Sequence, residues 1–240
     1  MHLVCSTLGF EGYPLEKTLE QLSVIGCDAV EMVLDEPDNP LELLDWKSLF
    51  QLQEQLAGFR MRVALLDGRS QRLSQDGDEW LRRAKATVDA AFGVGAPVAE
   101  IHLAGLSPRD LAAKLQKLMV HAGRRGVRLA VELPPKAPEP MRQWLQQTDP
   151  GLVGMSVDLA EVEGDWRVPV EGWGKRLWSL RVPLSAADSE LPARVAALKA
   201  SGYDGVVALR SDRTDLPPHQ QAREALRQLR PLFEALKGGD

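Results

Sequence analysis

The fold is decided by a stretch near the middle of the chain, Gly126-Val127-Arg128-Leu129-Ala130-Val131-Glu132. It is a short, mainly apolar run that ends in a carboxylate. An amphipathic run with apolar residues at helical spacing precedes it over residues 111–122. Gly126 lies where that helix should end before the strand begins. The stretch therefore predicts one helix-to-strand step of an α/β fold.

The same step is predicted along the whole chain. Eight strand candidates begin about 25 to 37 residues apart, which is the length of a βα unit. They are Leu3–Ser6, Ala29–Val33, Arg62–Leu66, Val98–Leu103, Arg128–Leu133, Val153–Val157, Leu177–Val182 and Gly205–Leu209. This alternation within 240 residues predicts a (β/α)8 TIM barrel, with residues 1–240 as a single domain. The rival is a doubly wound open sheet, but its usual glycine-rich phosphate turn, GxGxxG or GxxxxGK[ST], is absent from the sequence.

Composition excludes several classes of protein. The 29 Lys and Arg against 34 Asp and Glu leave a formal net charge of −5, so we expect neither nucleic acid nor an anionic membrane as a partner. Two cysteines without a CxxC motif indicate a reduced compartment. No signal peptide and no membrane-length apolar run is found, so we expect a cytoplasmic protein. The composition and charge of the chain are also compatible with a homo-oligomer.

The two faces of the predicted strands differ in polarity, as the alternation of side chains in a barrel requires. The apolar face should pack beneath the helices, and it contains Ile101, Leu103, Leu129, Val131, Met155, Val157, Trp178, Leu180, Val207 and Leu209. The small or polar face should point into the barrel, and it contains Glu100, His102, Arg128, Ala130, Glu132, Gly154, Ser156, Asp158, Ser179, Arg181, Ala208 and Arg210. Glu100 and Arg128, low on neighbouring strands, are predicted to pair.

Five ionisable residues of the inward face lie at the C-terminal strand ends, where active sites form in this fold: His102, Glu132, Asp158, Arg181 and Arg210. Two interpretations are open. The carboxylates and guanidinium groups could form a salt-bridge network that closes the barrel mouth. Alternatively, the same charges could form a ligand site, since arginine matches carboxylates and phosphates in a bidentate manner.

Further polar and aromatic residues follow the strands at the same end. Asp67 and Arg69 come after the third strand and could bind a polar substrate or only shape a turn. Arg213, after the eighth strand, could join an anion site or remain a solvated loop charge. Glu161 could contact a ligand or lie on the surface, and Trp166 could stack on a sugar or pack under a loop.

At these residues the chain resembles the xylose isomerase-like TIM-barrel superfamily, which includes sugar isomerases, sugar-phosphate epimerases and endonuclease IV. The resemblance extends along nearly the whole chain. Its segments are Leu3–Phe10, Gly26-Cys27-Asp28-Ala29-Val30-Glu31, the strand region Gly95–Gly105, the stretch Gly126–Glu132, and Gly202-Tyr203-Asp204-Gly205. Their order and spacing together imply a xylose isomerase-like barrel.

The resemblance implies a divalent metal held by Glu, Asp, His and Glu on strands five to eight. Glu132 and Asp158 match the first two positions, whereas Arg181 and Arg210 stand at the other two. A guanidinium offers no lone pair to a metal and brings positive charge instead. We therefore expect no cofactor; a divalent metal, if bound, would use Glu132 and Asp158.

The resemblance implies an isomerase or epimerase acting on a sugar or sugar phosphate. Glu132 or Asp158 would remove a proton next to a carbonyl, and His102 would orient or protonate the substrate. Arg181 and Arg210 would stabilise the developing negative charge. A non-catalytic barrel that holds an anionic small molecule, such as a sugar phosphate or carboxylate, is the alternative. A DNA-repair enzyme like endonuclease IV is disfavoured, because its metal-binding histidines are largely absent and the chain is not basic.

Overall fold

The computed structural model describes residues 1–10, 12–34, 45–69, 76–103, 108–132, 139–163, 165–184, 191–213 and 215–234. Its eight strands are β1 His2–Ser6, β2 Ala29–Val33, β3 Arg62–Asp67, β4 Val98–His102, β5 Arg128–Glu132, β6 Val153–Asp158, β7 Leu177–Pro183 and β8 Val206–Arg210. Its helices are α1 Leu15–Val24, α2 Trp46–Gly58, α3 Gly77–Val94, α4 Pro108–Arg125, α5 Glu139–Gln147, α6 Arg167–Trp173, α7 Leu191–Ala200 and α8 Pro218–Glu234.

The strands form a closed parallel barrel in sequence order, with β8 paired to β1. This confirms the predicted (β/α)8 architecture. Local signals set the boundaries of the elements. Asp76 accepts hydrogen bonds from two backbone N–H groups at the start of α3, and Gly126, at φ 67°, separates α4 from β5. No described helix combines the length and the apolar character that a membrane span requires.

The layer between barrel and helices is apolar, as predicted from the strand alternation. Ile101, Leu129, Val131 and Leu180 belong to one buried cluster that also includes the inner faces of the helices. Trp178 is the exception, because it packs with Leu65, Val98 and Ala130 in the barrel interior. The reason is a bulge in the β6–β7 pairing. Met155 pairs with Leu177 but Ser156 pairs with Ser179, so Trp178 is an extra residue that shifts the alternation.

The predicted pair of Glu100 and Arg128 is wrong. In the β4–β5 register, Arg128 lies opposite Val98, two residues before Glu100, at the N-terminal end of the barrel. Its guanidinium carbon lies 4.9 Å from the ring centre of Trp178. Glu100 instead accepts hydrogen bonds from Ser156 and Arg181 higher in the barrel. Small and apolar side chains thus fill the lower interior, and the charged residues lie above them.

Candidate functional site

The C-terminal half of the barrel interior contains an unusually large set of charged side chains. We call it the central cluster, and its members are Glu31, Asp67, Arg69, Glu100, His102, Glu132, Asp158, Arg181 and Arg210. It brings together all five strand-end residues singled out in the sequence, as well as Asp67 and Arg69. The strand register explains this, since His102 lies opposite Glu132 and Asp158 lies opposite Arg181.

Arg181 lies at the centre of the cluster and is fully buried. Its guanidinium contacts five carboxylates: Glu31 at 2.7 Å, Glu100 at 3.0 Å, Asp67 at 3.1 Å, and Glu132 and Asp158 each at 3.4 Å. A buried cation is tolerated only when it is paired and hydrogen-bonded, and this one has an excess of acceptors. Because the side chain has no exposed surface, we assign it the role of holding the carboxylates together rather than touching a ligand.

Glu31 is the member of the cluster that sequence reasoning did not select. It lies on β2, is fully buried, and both of its carboxylate oxygens accept hydrogen bonds from Arg181. The signal was present in the sequence, because Glu31 is the one charged residue of the otherwise apolar strand Ala29–Val33. A charge within a strand buried along its whole length requires a partner, and that partner is 150 residues away.

Glu100 lies below the mouth, where the barrel is driest. Its carboxylate accepts a hydrogen bond from the Ser156 hydroxyl at 2.7 Å and one from Arg181 at 3.0 Å. Burial raises the pKa of Glu100 well above its ordinary value, although the Arg181 charge opposes this rise. The cluster as a whole combines five carboxyl groups with three arginines and one histidine.

His102 connects two carboxylates of the cluster. Its Nε2 lies 2.5 Å from Asp67 and its Nδ1 lies 3.3 Å from Glu132. Burial alone would lower the pKa of His102, but the two carboxylates outweigh it and raise that pKa to about 10. The imidazole therefore carries a positive charge at neutral pH. The pKa of Asp67 is correspondingly held well below its usual range: burial would raise it, but the charges of His102, Arg181 and Arg69 prevail.

The elevated pKa of His102 predicts a pH-dependent stability. Because the folded protein binds this proton more tightly than the unfolded chain, the stabilisation is complete below pH 6.5 and is lost as the pH rises through about 10. In that window the free energy of unfolding should fall by about 1.4 kcal/mol more per pH unit in the wild type than in His102→Gln. Urea unfolding at several pH values measures both slopes, and equal slopes would contradict a charged His102.

The rim of the cluster consists of the members that reach solvent. The side chain of Arg210 is 17% exposed and that of Arg69 is 15% exposed, whereas Glu132 is 7% and Asp158 only 1% exposed. Arg210 donates to Asp158 at 2.8 Å, and Arg69 donates to Asp67 at 3.2 Å. A molecule that entered the mouth would therefore meet two guanidinium groups and one edge of the Glu132 carboxylate.

Three further predicted ligand-binding residues, Arg213, Glu161 and Trp166, have the following described positions and contacts. Arg213 forms an ion pair with Asp215 at 2.6 Å, and Glu161 is exposed at the end of a short 3-10 helix that follows β6. Trp166 packs against the main hydrophobic core, with the Arg167 guanidinium 5.5 Å from its ring centre. Their assignment to a ligand site stays a prediction, and the structure gives Trp166 a packing contact.

Residues of the cluster also offer metal-ligand atoms. Asp67, Glu100 and His102 each present one such atom, and the three atoms lie within 4.8 Å of one another. The Nη2 of Arg181 lies beside the same two carboxylates, 3.1 Å from Asp67 and 3.0 Å from Glu100. A cation bound by these three residues would have to share its surroundings with the guanidinium charge.

Solved structures similar to this chain share one fold. A xylose isomerase domain protein from Planctomyces limnophilus is 14% identical, with a TM-score of 0.74 over 100% of this chain and 98% of that one. D-Psicose 3-epimerase from Clostridium cellulolyticum H10, solved with D-tagatose, is 13% identical, with a TM-score of 0.74 over 97% and 99%. A xylose isomerase-like TIM barrel protein from Mycobacterium smegmatis, solved with magnesium, is 17% identical, with a TM-score of 0.73 over 98% and 97%.

The sequence comparisons found no match. No protein-family model matches the chain, and no curated protein sequence is similar to it. Structural similarity at this low sequence identity establishes only the fold. That fold agrees with the resemblance inferred from the strand motifs. The chain therefore has the fold of the xylose isomerase-like TIM barrels, and it is divergent in sequence from the solved barrels that it resembles.

Proposed function

We propose that this barrel is a sugar or sugar-phosphate isomerase or epimerase that works without a divalent metal. The general class is supported by similar solved barrels, among them a 3-keto-D-glucoside 4-epimerase and a D-tagatose 3-epimerase-like protein. The observation that supports a metal-independent reaction is the position of Arg181. Its guanidinium lies within 3.4 Å of five carboxylates.

The donor set does not fit the metal that the resemblance implies. Arg181 and Arg210 stand at two of the four ligand positions, and each donates to Asp158, a third. Mg²⁺ and Mn²⁺ prefer about six oxygen ligands, so a site with two fixed positive charges opposes them. The central cluster already holds three arginines and a charged histidine among its five carboxyl groups. We therefore assign the charge that a metal would supply to Arg181.

Glu132 is the better candidate for the general base. Asp158 accepts hydrogen bonds from Arg210, Arg181 and the backbone N–H of Ala160, so three of its about four lone-pair sites are occupied. The side chain of Glu132 is 7% exposed, against 1% for Asp158, so it is the more accessible of the two carboxylates. It would take a proton from the carbon next to a carbonyl, and the electron pair of that C–H bond would move towards the carbonyl oxygen.

The rim arginines would stabilise the negative charge that develops on that oxygen. Arg210 and Arg69 are the cations of the cluster whose side chains are partly accessible, at 17% and 15%. Fixed donors aimed at a developing oxyanion lower the barrier because they need no reorganisation during the reaction. His102 is 2% exposed and acts through Glu132 and Asp67, so we class it as a positioning residue.

Proton exchange provides the test of this proposal. The protein would be incubated in D₂O with a panel of aldoses, ketoses and their phosphates in the presence of a chelator, and deuterium at the carbon next to the carbonyl would be followed by NMR. Metal-independent exchange is expected for at least one substrate. Glu132→Gln should slow it by about 100-fold or more, since general-base catalysis contributes about 10²–10⁴.

The matched control is Glu224→Gln, an exposed glutamate of α8, which should leave exchange unchanged. Exchange that disappears with chelator and returns with Mn²⁺ would contradict the metal-independent proposal. The two exposed arginines also favour the second candidate, a non-catalytic barrel that holds an anionic sugar derivative. Saturable binding of a sugar phosphate that is lost in Arg210→Gln, without any exchange, would favour that candidate.

A further inference from the structure

The end of the barrel opposite to the central cluster contains a cavity of about 970 Å³. It is lined by the N-terminal ends of strands β1, β3, β4, β5, β7 and β8 and by the end of the seven-residue helix α6. Ligand pockets commonly measure about 300–1,000 Å³. The N-terminal end of a TIM barrel generally serves stability, so a cavity of this size at that end calls for an explanation.

The charges around this cavity are not balanced. Arg62, Arg128 and Lys175 line it, and within the part of the chain that the structure describes none of the three has a salt bridge. Two carboxylates, Glu171 and Asp204, also line the cavity. The lining thus carries three basic and two acidic side chains in a chain whose net charge is −5.

Two of these cations lie at the beginning of strands. Arg62 and Arg128 are the first residues of strands β3 and β5, so neither belongs to the last turn of a helix, where cations offset the helix dipole. Both side chains are exposed. Like charges gathered around a concave surface create a positive potential that attracts anions.

Part of the cavity wall is apolar. Trp178 lies in the wall, and Val98 and Ala64 are further apolar residues of the lining. A Cβ built on Gly154 would lie 2.1 Å from the Trp178 ring, so the ring rests directly against the backbone of β6. Its position is further held by Arg128, whose guanidinium carbon lies 4.9 Å from the ring centre.

From this combination we propose that the N-terminal cavity binds a phosphate monoester that carries an apolar organic group. The phosphate dianion would be held by Arg62, Arg128 and Lys175, since arginine and lysine both serve as phosphate ligands. The organic group would lie against the apolar wall formed by Trp178, Val98 and Ala64. This site is separate from the central cluster and does not depend on the function proposed for it.

Phenyl phosphate is a suitable probe, because it has the dianion and an apolar ring but no sugar hydroxyls. Isothermal titration calorimetry should detect one saturable site. Inorganic phosphate and phenol should each bind at least about tenfold more weakly than phenyl phosphate. Inorganic phosphate lacks the apolar ring, and phenol lacks the phosphate dianion. Arg128→Gln and Lys175→Gln should each weaken phenyl phosphate binding by about tenfold or more. Both residues are exposed, so neither substitution should impair folding.

The controls are Arg124→Gln, which removes an exposed arginine in the last turn of α4, and Arg210→Gln at the opposite mouth. Neither should change the affinity for phenyl phosphate. A dissociation constant weaker than about 1 mM would overturn the proposal. So would an affinity that is lost in Arg210→Gln and retained in Arg128→Gln, because the ligand would then occupy the central cluster.

Discussion

Replacing Arg181 by methionine is expected to lower the free energy of unfolding by about 3–5 kcal/mol at pH 7, the cost of removing one partner from a buried ion pair. The loss arises because five carboxyl groups, all buried, lie within 3.4 Å of the guanidinium. Methionine fills part of the volume but carries no charge. Urea unfolding followed by circular dichroism measures the change.

The pH dependence separates this electrostatic cost from a packing defect. As the pH falls from 7 towards 5, carboxylates that have lost their cation can take up protons, so the difference between Arg181→Met and the wild type should shrink. Arg181→Lys keeps the charge without the planar fork and should lose less stability. Arg223→Met, at an exposed position of α8, should stay within about 0.5 kcal/mol of the wild type. A loss that does not vary with pH would contradict the role assigned to Arg181.

The double variant Arg181→His/Arg210→Glu is expected to gain a requirement for a divalent metal. It exchanges the two cations at the implied ligand positions for groups with lone pairs. Without metal the variant should be strongly destabilised, because the carboxylates have lost both counter-charges. Mn²⁺ at a concentration 100 times its dissociation constant should raise the free energy of unfolding of the variant by about 2.7 kcal/mol. For a protein of 240 residues this corresponds to a rise in melting temperature of about 5–10 °C.

The wild type is the matched control for this experiment. Its melting temperature should not change with Mn²⁺, since Arg181 already supplies charge among the carboxylates. A saturable stabilisation of the wild type by Mn²⁺, abolished in Asp158→Asn, would contradict a metal-independent site. Failure of the double variant to gain stability from Mn²⁺ would contradict the inference that the arginines stand at a cation position.

Much of the barrel could be predicted from local patterns. Apolar runs of five to seven residues separated by amphipathic helices are local features, and all eight predicted strands begin within one residue of their place in the structure and end within one residue of it. Side chains alternate strictly along a strand, so the same reasoning placed His102, Glu132 and Asp158 on one inward face. The alternation failed at Trp178, because a bulge depends on how two strands pair and not on either strand alone.

The sequence by itself determined the eight-unit barrel and the strand-end positions of its charges, because both follow from periodicity within short segments. Only the tertiary structure decided which charges meet. Closure of the barrel brings Glu31 from β2 against Arg181 from β7, and it separates Arg128 from Glu100 by placing them at different heights. Such pairings depend on strand register and on distances across the barrel between residues 150 positions apart in the chain, which no local pattern encodes.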